Sequence, residues 1–246
     1  MSKKNFHSTS PSSKNQLILY GRHAVISALK NPLRKKIKLL CTKEVATEVQ
    51  QFSPQITDKK EIEKLLPPDS VHQGFALICN PLPNTEIEEV ISQAEQLSEC
   101  HILILDQVTD PQNIGAIIRS AVAFNTLALI MQDKNAPQET GTMAKASAGL
   151  IEYLPIVRVT NLSRAIEKLK KAGFWTIGMD GYATTTVGEL KKGGKNAIIM
   201  GSEGKGMRRL IEENCDITVR LPMNEKAESL NVSTAAAIML YEINKR

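Results

Sequence analysis

What limits the fold of this 246-residue chain most is the rhythm of its last two-thirds. Short apolar runs of strand character lie at His101–Asp106, Leu127–Gln132, Leu154–Val159, Phe174–Met179, Ala197–Gly201 and Ile217–Leu221. Helical patterns lie between and after them, at Ile114–Phe124, Thr142–Ala148, Leu162–Ala172, near Met207–Glu213 and at Leu230–Asn244, and another, Glu86–Leu97, precedes the first run. Strands that alternate with helices predict an α/β fold with a mostly parallel sheet, buried on both faces. In such a sheet the loops at the carboxyl ends of the strands are where ligands bind.

The first third reads differently. His23–Leu29, Lys43–Gln51 and Lys59–Leu66 have helical patterns, and Lys36–Thr42 and Gly74–Asn80 have strand patterns. They predict a small α/β module, which Pro81-Leu82-Pro83-Asn84 closes as a linker. The expected organisation is a disordered leader over 1–16, a module over 17–80, a linker over 81–86 and a larger domain over 87–246. Charge divides along the same line. Residues 1–80 hold 13 Lys/Arg against 6 Asp/Glu, whereas residues 81–246 hold 18 against 20. An excess confined to one module is either a solvated face or the footprint of a polyanion. Lys30, Arg34, Lys35, Lys36 and Lys38 cluster within nine residues and are expected to be exposed.

Several classes are disfavoured. No apolar run approaches the roughly 20 residues that span a bilayer, and Met1–Gln16 has no apolar segment of the secretory kind. The four cysteines (Cys41, Cys79, Cys100, Cys215) form no C-x-x-C pair and the four histidines have no metal-ligand spacing, so reduced thiols, a cytoplasmic location and no metal are expected. No G-x-G-x-x-G follows the first strand of the larger domain. Gly201–Gly206 lacks phosphate-loop spacing, since Gly206 rather than Ser or Thr follows Lys205.

Three loops stand out, each between a strand and a helix. In Asp106–Gly115, Asp110-Pro111 starts a turn and Asn113 is a candidate cap for a helix opening at Ile114. Arg119, further along and among apolar neighbours, either snorkels or pairs, or is aimed at a phosphate or hydroxyl. In Met200-Gly201-Ser202-Glu203-Gly204-Lys205-Gly206-Met207, Glu203 is either simply solvated or held by a loop whose glycines let the backbone approach a ligand. After Leu221-Pro222-Met223 come Ser229-Leu230-Asn231-Val232-Ser233, with more hydrogen-bonding groups than one helix cap requires.

These motifs, in this order, resemble the SpoU family of RNA ribose 2′-O-methyltransferases within the SPOUT superfamily. Tyr20-Gly21-Arg22-His23-Ala24-Val25 and Val71-His72-Gln73-Gly74-Phe75-Ala76-Leu77 are similar to the substrate-binding domain of its 23S rRNA (guanosine-2′-O)-methyltransferase branch. The resemblance implies a deep trefoil knot in the C-terminal sheet, a homodimer through that domain, and S-adenosylmethionine as cofactor. It implies Gly201, Leu221 and Leu230 as cofactor contacts, and Asn113, Arg119, Glu203, Ser229 and Asn231 as the catalytic set. The expected activity is methyl transfer to the ribose 2′-OH of a guanosine in 23S ribosomal RNA. A tRNA ribose methyltransferase and a non-catalytic RNA-binding assembly factor are the alternatives. A ribose hydroxyl must lose a proton to attack, and the motifs hold no His or Cys. Arginine resists deprotonation, so Arg119 is read as the group that binds the adjacent phosphate and stabilises developing alkoxide charge.

Overall fold

A computed structural model describes residues 16–134, 136–191, 193–224 and 226–245; the expected leader falls almost wholly outside them. The chain runs β1 (Leu17–Tyr20), α1 (Arg22–Lys30), β2 (Lys36–Cys41), α2 (Ala46–Val49), β3 (Gln55–Ile56), α3 (Lys59–Glu63) and β4 (Phe75–Cys79). These strands form one sheet, ordered β1-β4-β2-β3. β4 is antiparallel to both β1 and β2, and its run Phe75-Ala76-Leu77 is fully buried, as a central strand requires. The strand at Leu17–Tyr20 is absent from the sequence pattern: four residues show no usable period. The helix expected over Lys43–Gln51 is one α-helical turn, α2, between two 3₁₀ turns.

The chain continues through α4 (Ile87–Glu95), β5 (Cys100–Leu105), α5 (Pro111–Ala123), β6 (Ala128–Gln132), α6 (Gly141–Ala146), β7 (Ile156–Val159), α7 (Leu162–Lys171), β8 (Trp175–Met179), β9 (Thr185–Thr186), β10 (Lys195–Met200), α8 (Arg209–Glu212), β11 (Ile217–Arg220) and α9 (Val232–Asn244). The seven strands are ordered β7-β6-β5-β10-β8-β11-β9 and every described pairing is parallel. β5 is Cys-His-Ile-Leu-Ile-Leu, buried throughout; apolar side chains on both of its faces need a layer on each side. One layer contains α4 and α7, whose Val90, Ile166 and Leu169 pack with Ile102, Ile104 and Ile199. The other contains α5, α6 and α9, whose Ile117, Met143 and Met239 pack with Leu103, Met131 and Ile198. That second cluster runs without a break into the first sheet, taking in Leu19, Val25 and Leu77. Because the large sheet is parallel, the loops that follow β5, β8, β10 and β11 all open on one edge.

Two helix starts differ from expectation. α5 opens at Pro111, and the Asp110 side chain accepts the Gln112 N–H. Proline suits the first helical position because it has no N–H to leave unpaired. Asn113 is therefore a first-turn residue, free for other partners, and not the cap. α9 starts at Val232, with Asn231 as its cap through the Ser233 N–H, so Ser229 and Leu230 precede the helix.

Candidate active site

The three loops singled out in the sequence meet at the carboxyl edge of β5, β10 and β11. Asn231 Nδ2 donates to Asn113 Oδ1 at 2.8 Å and to Glu203 Oε1 at 2.7 Å. Asn113 Nδ2 donates to the same Glu203 oxygen at 3.2 Å, as does Val232 N–H. One carboxylate oxygen thus gathers three donors from the first turn of α5 and the N-terminus of α9. The macrodipole of α9 favours negative charge at that point. Asn231 also accepts from Ser233, through N–H at 2.9 Å and Oγ at 2.5 Å. Glu203 is therefore not a solitary solvated side chain, although it is exposed.

Beside this cluster lies a cleft of about 820 Å³. It is walled by Gly201 to Met207, by Leu221 and Met223, by Ser229 and Leu230, and by Met179 to Tyr182 after β8. Of the expected contact residues, Gly201, Leu221 and Leu230 line the cleft. So do Glu203 and Ser229; the Ser229 hydroxyl makes no hydrogen bond among the described residues. The described lining includes Met179, Met200, Met207 and Met223, and four carboxylates (Asp180, Glu203, Glu212, Glu228) against two cations, Lys205 and Arg220. Polarisable thioethers and an excess of negative charge suit a cationic organic ligand with an apolar body.

Gly201 is small for a reason internal to the loop. A Cβ there would overlap the backbone of Gly206 and Met207, because Ser202 and Gly206 pair antiparallel, with N···O distances of 3.1 and 2.9 Å. The loop turns back on itself, with Gly204 and Gly206 at φ 77° and 65°, a region glycine occupies without strain.

Arg119 is not in the cleft. It lies one to two turns beyond Asn113 on α5, exposed, and forms no ion pair or hydrogen bond among the described residues. On the α5–α9 pair, Phe124 just after α5 and Tyr241 of α9 meet edge-on with centroids 6.2 Å apart, and Ile238 and Tyr241 of α9 are exposed.

Two further features escape the sequence pattern. Asp106 is fully buried and bonded to Arg208, through the backbone N–H at 2.8 Å, through Nε at 2.8 Å and through Nη2 at 2.7 Å. Arg208 also donates to Gln132 Oε1 at 3.1 Å. This clamp ties the end of the 201–208 loop to the ends of β5 and β6. Tyr182, at 97% exposure, stands at the cleft rim. Both partners of the clamp are ordinary residues until the fold brings together positions 102 residues apart.

The basic cluster is only partly exposed. Lys30, Lys35, Lys36 and Lys38 face solvent, but Arg34 is buried and pairs with Glu139 at 2.6 Å and Glu152 at 2.5 Å. Burial works against its charge, yet the hydrogen bonds with Glu152 and the paired carboxylate of Glu139 raise its pKa and keep the guanidinium ionised. The neutralising carboxylates come from the far side of the linker. The cysteines are free, and burial pushes Cys79 and Cys215 up to about 12, which leaves both thiols inert. No group of three or more metal-ligating side chains occurs among the described residues, and no described helix is long and apolar enough to cross a membrane.

The described residues thus form a parallel α/β domain with a cleft between a glycine loop and an Asn-capped helix, joined to a basic α/β unit. Comparison with known proteins gives the family. Residues 101–241 match the SpoU rRNA Methylase family and residues 18–85 match the RNA 2′-O ribose methyltransferase substrate-binding family. The TrmH family tRNA/rRNA methyltransferase YacO of Bacillus subtilis, named by assignment, is 35% identical over 92% of this chain and 94% of its own length. A similarly named protein of Staphylococcus aureus is 34% identical over 93% and 96%. The chain belongs to the SpoU/TrmH family of RNA methyltransferases. Its fold is that of the SpoU methyltransferase AviRb from Streptomyces viridochromogenes, solved with AdoMet (TM-score 0.80, 23% identity, 94% of this chain and 90% of that one). It is also similar to an rRNA methyltransferase from Sinorhizobium meliloti (TM-score 0.78, 22% identity, 94% and 87%) and to a TrmH/SpoU tRNA modifying enzyme of A. aeolicus (TM-score 0.53, 25% identity, 65% and 83%).

Proposed function

We propose that the protein methylates the ribose 2′-OH of a guanosine in 23S ribosomal RNA, with S-adenosylmethionine as methyl donor. One observation carries the reading: Asn113 in the first turn of α5, Glu203 in the loop after β10 and Asn231 at the cap of α9 form one hydrogen-bonded cluster beside the cleft that Gly201, Leu221 and Leu230 line. The acidic, methionine-walled cleft fits the cofactor, whose methyl sits on a positively charged sulfur. Bound there, the cofactor supplies an electrophilic methyl for in-line attack by an oxygen. What remains for the protein is mostly positioning. Gly201, Leu221 and Leu230 hold the cofactor, the Asn113–Asn231–Glu203 cluster fixes the rim where the ribose arrives, and Ser229 offers a hydroxyl to it. Arg119 binds the phosphate and stabilises developing charge on the 2′-oxygen.

Because Arg119 lies outside its own cleft, the reading includes a homodimer through the exposed faces of α5 and α9, where the partner subunit's Arg119 completes the site. Small residues not fully buried on the two helices (Ala116, Ala123, Ala237), together with exposed Ile238 and Tyr241 on α9, suit close helix approach. It also includes a trefoil knot: β10 enters between β5 and β8, and the chain returns through the 221–231 loop to pack α9 on α5. A ribosomal substrate is favoured over tRNA by the basic unit. Two solved relatives named for tRNA cover 65% and 60% of this chain, whereas the Sinorhizobium meliloti rRNA enzyme covers 94%. The cytoplasm, where reduced cysteines and ribosomal RNA coexist, completes the reading. Incubating the protein with radiolabelled S-adenosylmethionine and ribosomal RNA, then mapping the label, tests it. Label on one ribose is expected; RNA binding without transfer would favour an assembly factor, and label on tRNA alone the tRNA alternative.

A further inference from the structure

The two N-terminal motifs, Tyr20–Val25 and Val71–Leu77, do not end at open solvent. They run into α6 and the turn behind it. Tyr20 Oη and Thr142 Oγ1 lie 3.2 Å apart, and Lys145 Nζ donates to Gln73 Oε1 at 2.7 Å. Asn31 Nδ2 donates to Glu152 at 2.8 Å, and Leu82 N–H to Glu139 Oε2 at 2.8 Å. The buried pairs of Arg34 with Glu139 and Glu152 close the far side. Three glycines mark how tightly the surfaces meet. A Cβ on Gly141 would overlap the Ile18 carbonyl oxygen and crowd the Tyr20 ring; one on Gly149 would crowd the His23 carbonyl and the Ser27 side chain; one on Gly21 would crowd Lys145. On its other side α6 seats against α5, where a Cβ on Gly115 would crowd the Met143 carbonyl and Ala146. An unbroken packed path thus leads from the basic unit through α6 to the helix that carries Asn113.

From this we infer that the N-terminal unit is a fixed arm, docked at one place rather than tethered, and that its placement selects the nucleotide presented to the cleft. The inference rests on the functional reading above. RNA held on the exposed Lys35, Lys36 and Lys38 enters the cleft at a set distance and angle. Phosphate contacts carry no sequence information, so a set geometry supplies the choice of nucleotide that charge cannot. Gly141 and Arg34 are positioning residues in this account; neither touches substrate.

Gly141→Ala tests it. Gly141 is the first residue of α6 and has an ordinary helical φ, and alanine favours a helix, so the substitution acts across the interface and not within the larger domain. Four quantities are measured: solution dimensions by small-angle scattering, S-adenosylmethionine affinity by calorimetry, RNA affinity by filter binding, and single-turnover methylation of an RNA that the wild-type protein modifies. The expected result is a released arm, cofactor affinity within about twofold of wild type, retained RNA affinity, and a methylation rate down about a hundredfold, as misplacement by an ångström or so entails, with residual label spread over neighbouring riboses. A released arm with the wild-type rate at the same single ribose would overturn the inference. So would an arm that stays docked, since the contact would then not be tight, or a parallel loss of cofactor affinity, since Gly141 would then act through the domain fold. A wild-type protein that methylates no RNA defeats the functional reading instead, and is seen before the variant is made.

Discussion

At Gly201 even one methyl group collides with the returning backbone at Gly206 and Met207. The glycine is dictated by the loop's own turn, where the sequence suggested close approach to a ligand, and the consequence is more severe. Gly201→Val should lose cofactor affinity because the cleft wall itself is displaced; calorimetry showing near-normal affinity would exclude this. Arg119 calls for the opposite pattern. It touches neither the cleft nor the core, so Arg119→Ala should leave stability and cofactor affinity unchanged and lower turnover about a hundredfold, the loss of a transition-state interaction worth roughly 3 kcal/mol. Turnover above about a third of wild type, a loss under roughly 1 kcal/mol, would remove Arg119 from the chemistry. Asn113, Glu203 and Asn231 stand out in the sequence as polar side chains that follow apolar strand runs, and the fold brings the three into one hydrogen-bonded cluster. Arg34 and Arg208 do not stand out in this way, because their carboxylates lie 118 and 102 residues away in the chain. An arginine reads as exposed until a fold supplies its partner.

Among the elements, every strand but β1, β3 and β9 is visible in the sequence. β5, β6, β8 and β10 each present a run too apolar to face water, whereas β3 and β9 have two residues each and are defined by their neighbours. Helix α5 was placed three residues late, since Asn113 is as good a cap by type as Asp110; the proline decides between them. The Asp106–Arg208 clamp joins three elements at the site edge and makes a sharp prediction. Arg208→Ala leaves a buried carboxylate with only its backbone donor. Because the Arg208 side chain is 37% exposed, the expected cost is modest for such a pair, about 2 kcal/mol. Chemical denaturation should show that loss together with weakened cofactor binding, as the 201–208 loop slackens. Unchanged stability with unchanged affinity would make the clamp incidental.

Across the whole molecule, charge and shape assign separate tasks. The exposed part of the basic cluster is Lys30, Lys35, Lys36 and Lys38, one cation fewer than the sequence suggested. Replacing Lys35, Lys36 and Lys38 by alanine should weaken RNA binding and lower the salt slope by roughly 0.7–0.9 for each phosphate no longer neutralised, with cofactor affinity untouched. An unchanged slope would place the RNA elsewhere. Ile238→Lys on the open face of α9 should convert a dimer to monomers by light scattering and abolish turnover without affecting the fold; a dimer that persists would move the interface off α9. The strand order has one more consequence. β10, buried along nearly its whole length, lies between β5 and β8, yet it is made after both. Until residue 200 leaves the ribosome the sheet is the fragment β7-β6-β5 and a β8 that has neither of its neighbours, each with a bare edge of the kind that pairs with other chains. Contacts between distant segments form slowly, so this protein should refold slowly and aggregate when truncated before β10. Its yield in a cell will depend on how long those two edges are kept apart from other chains during synthesis.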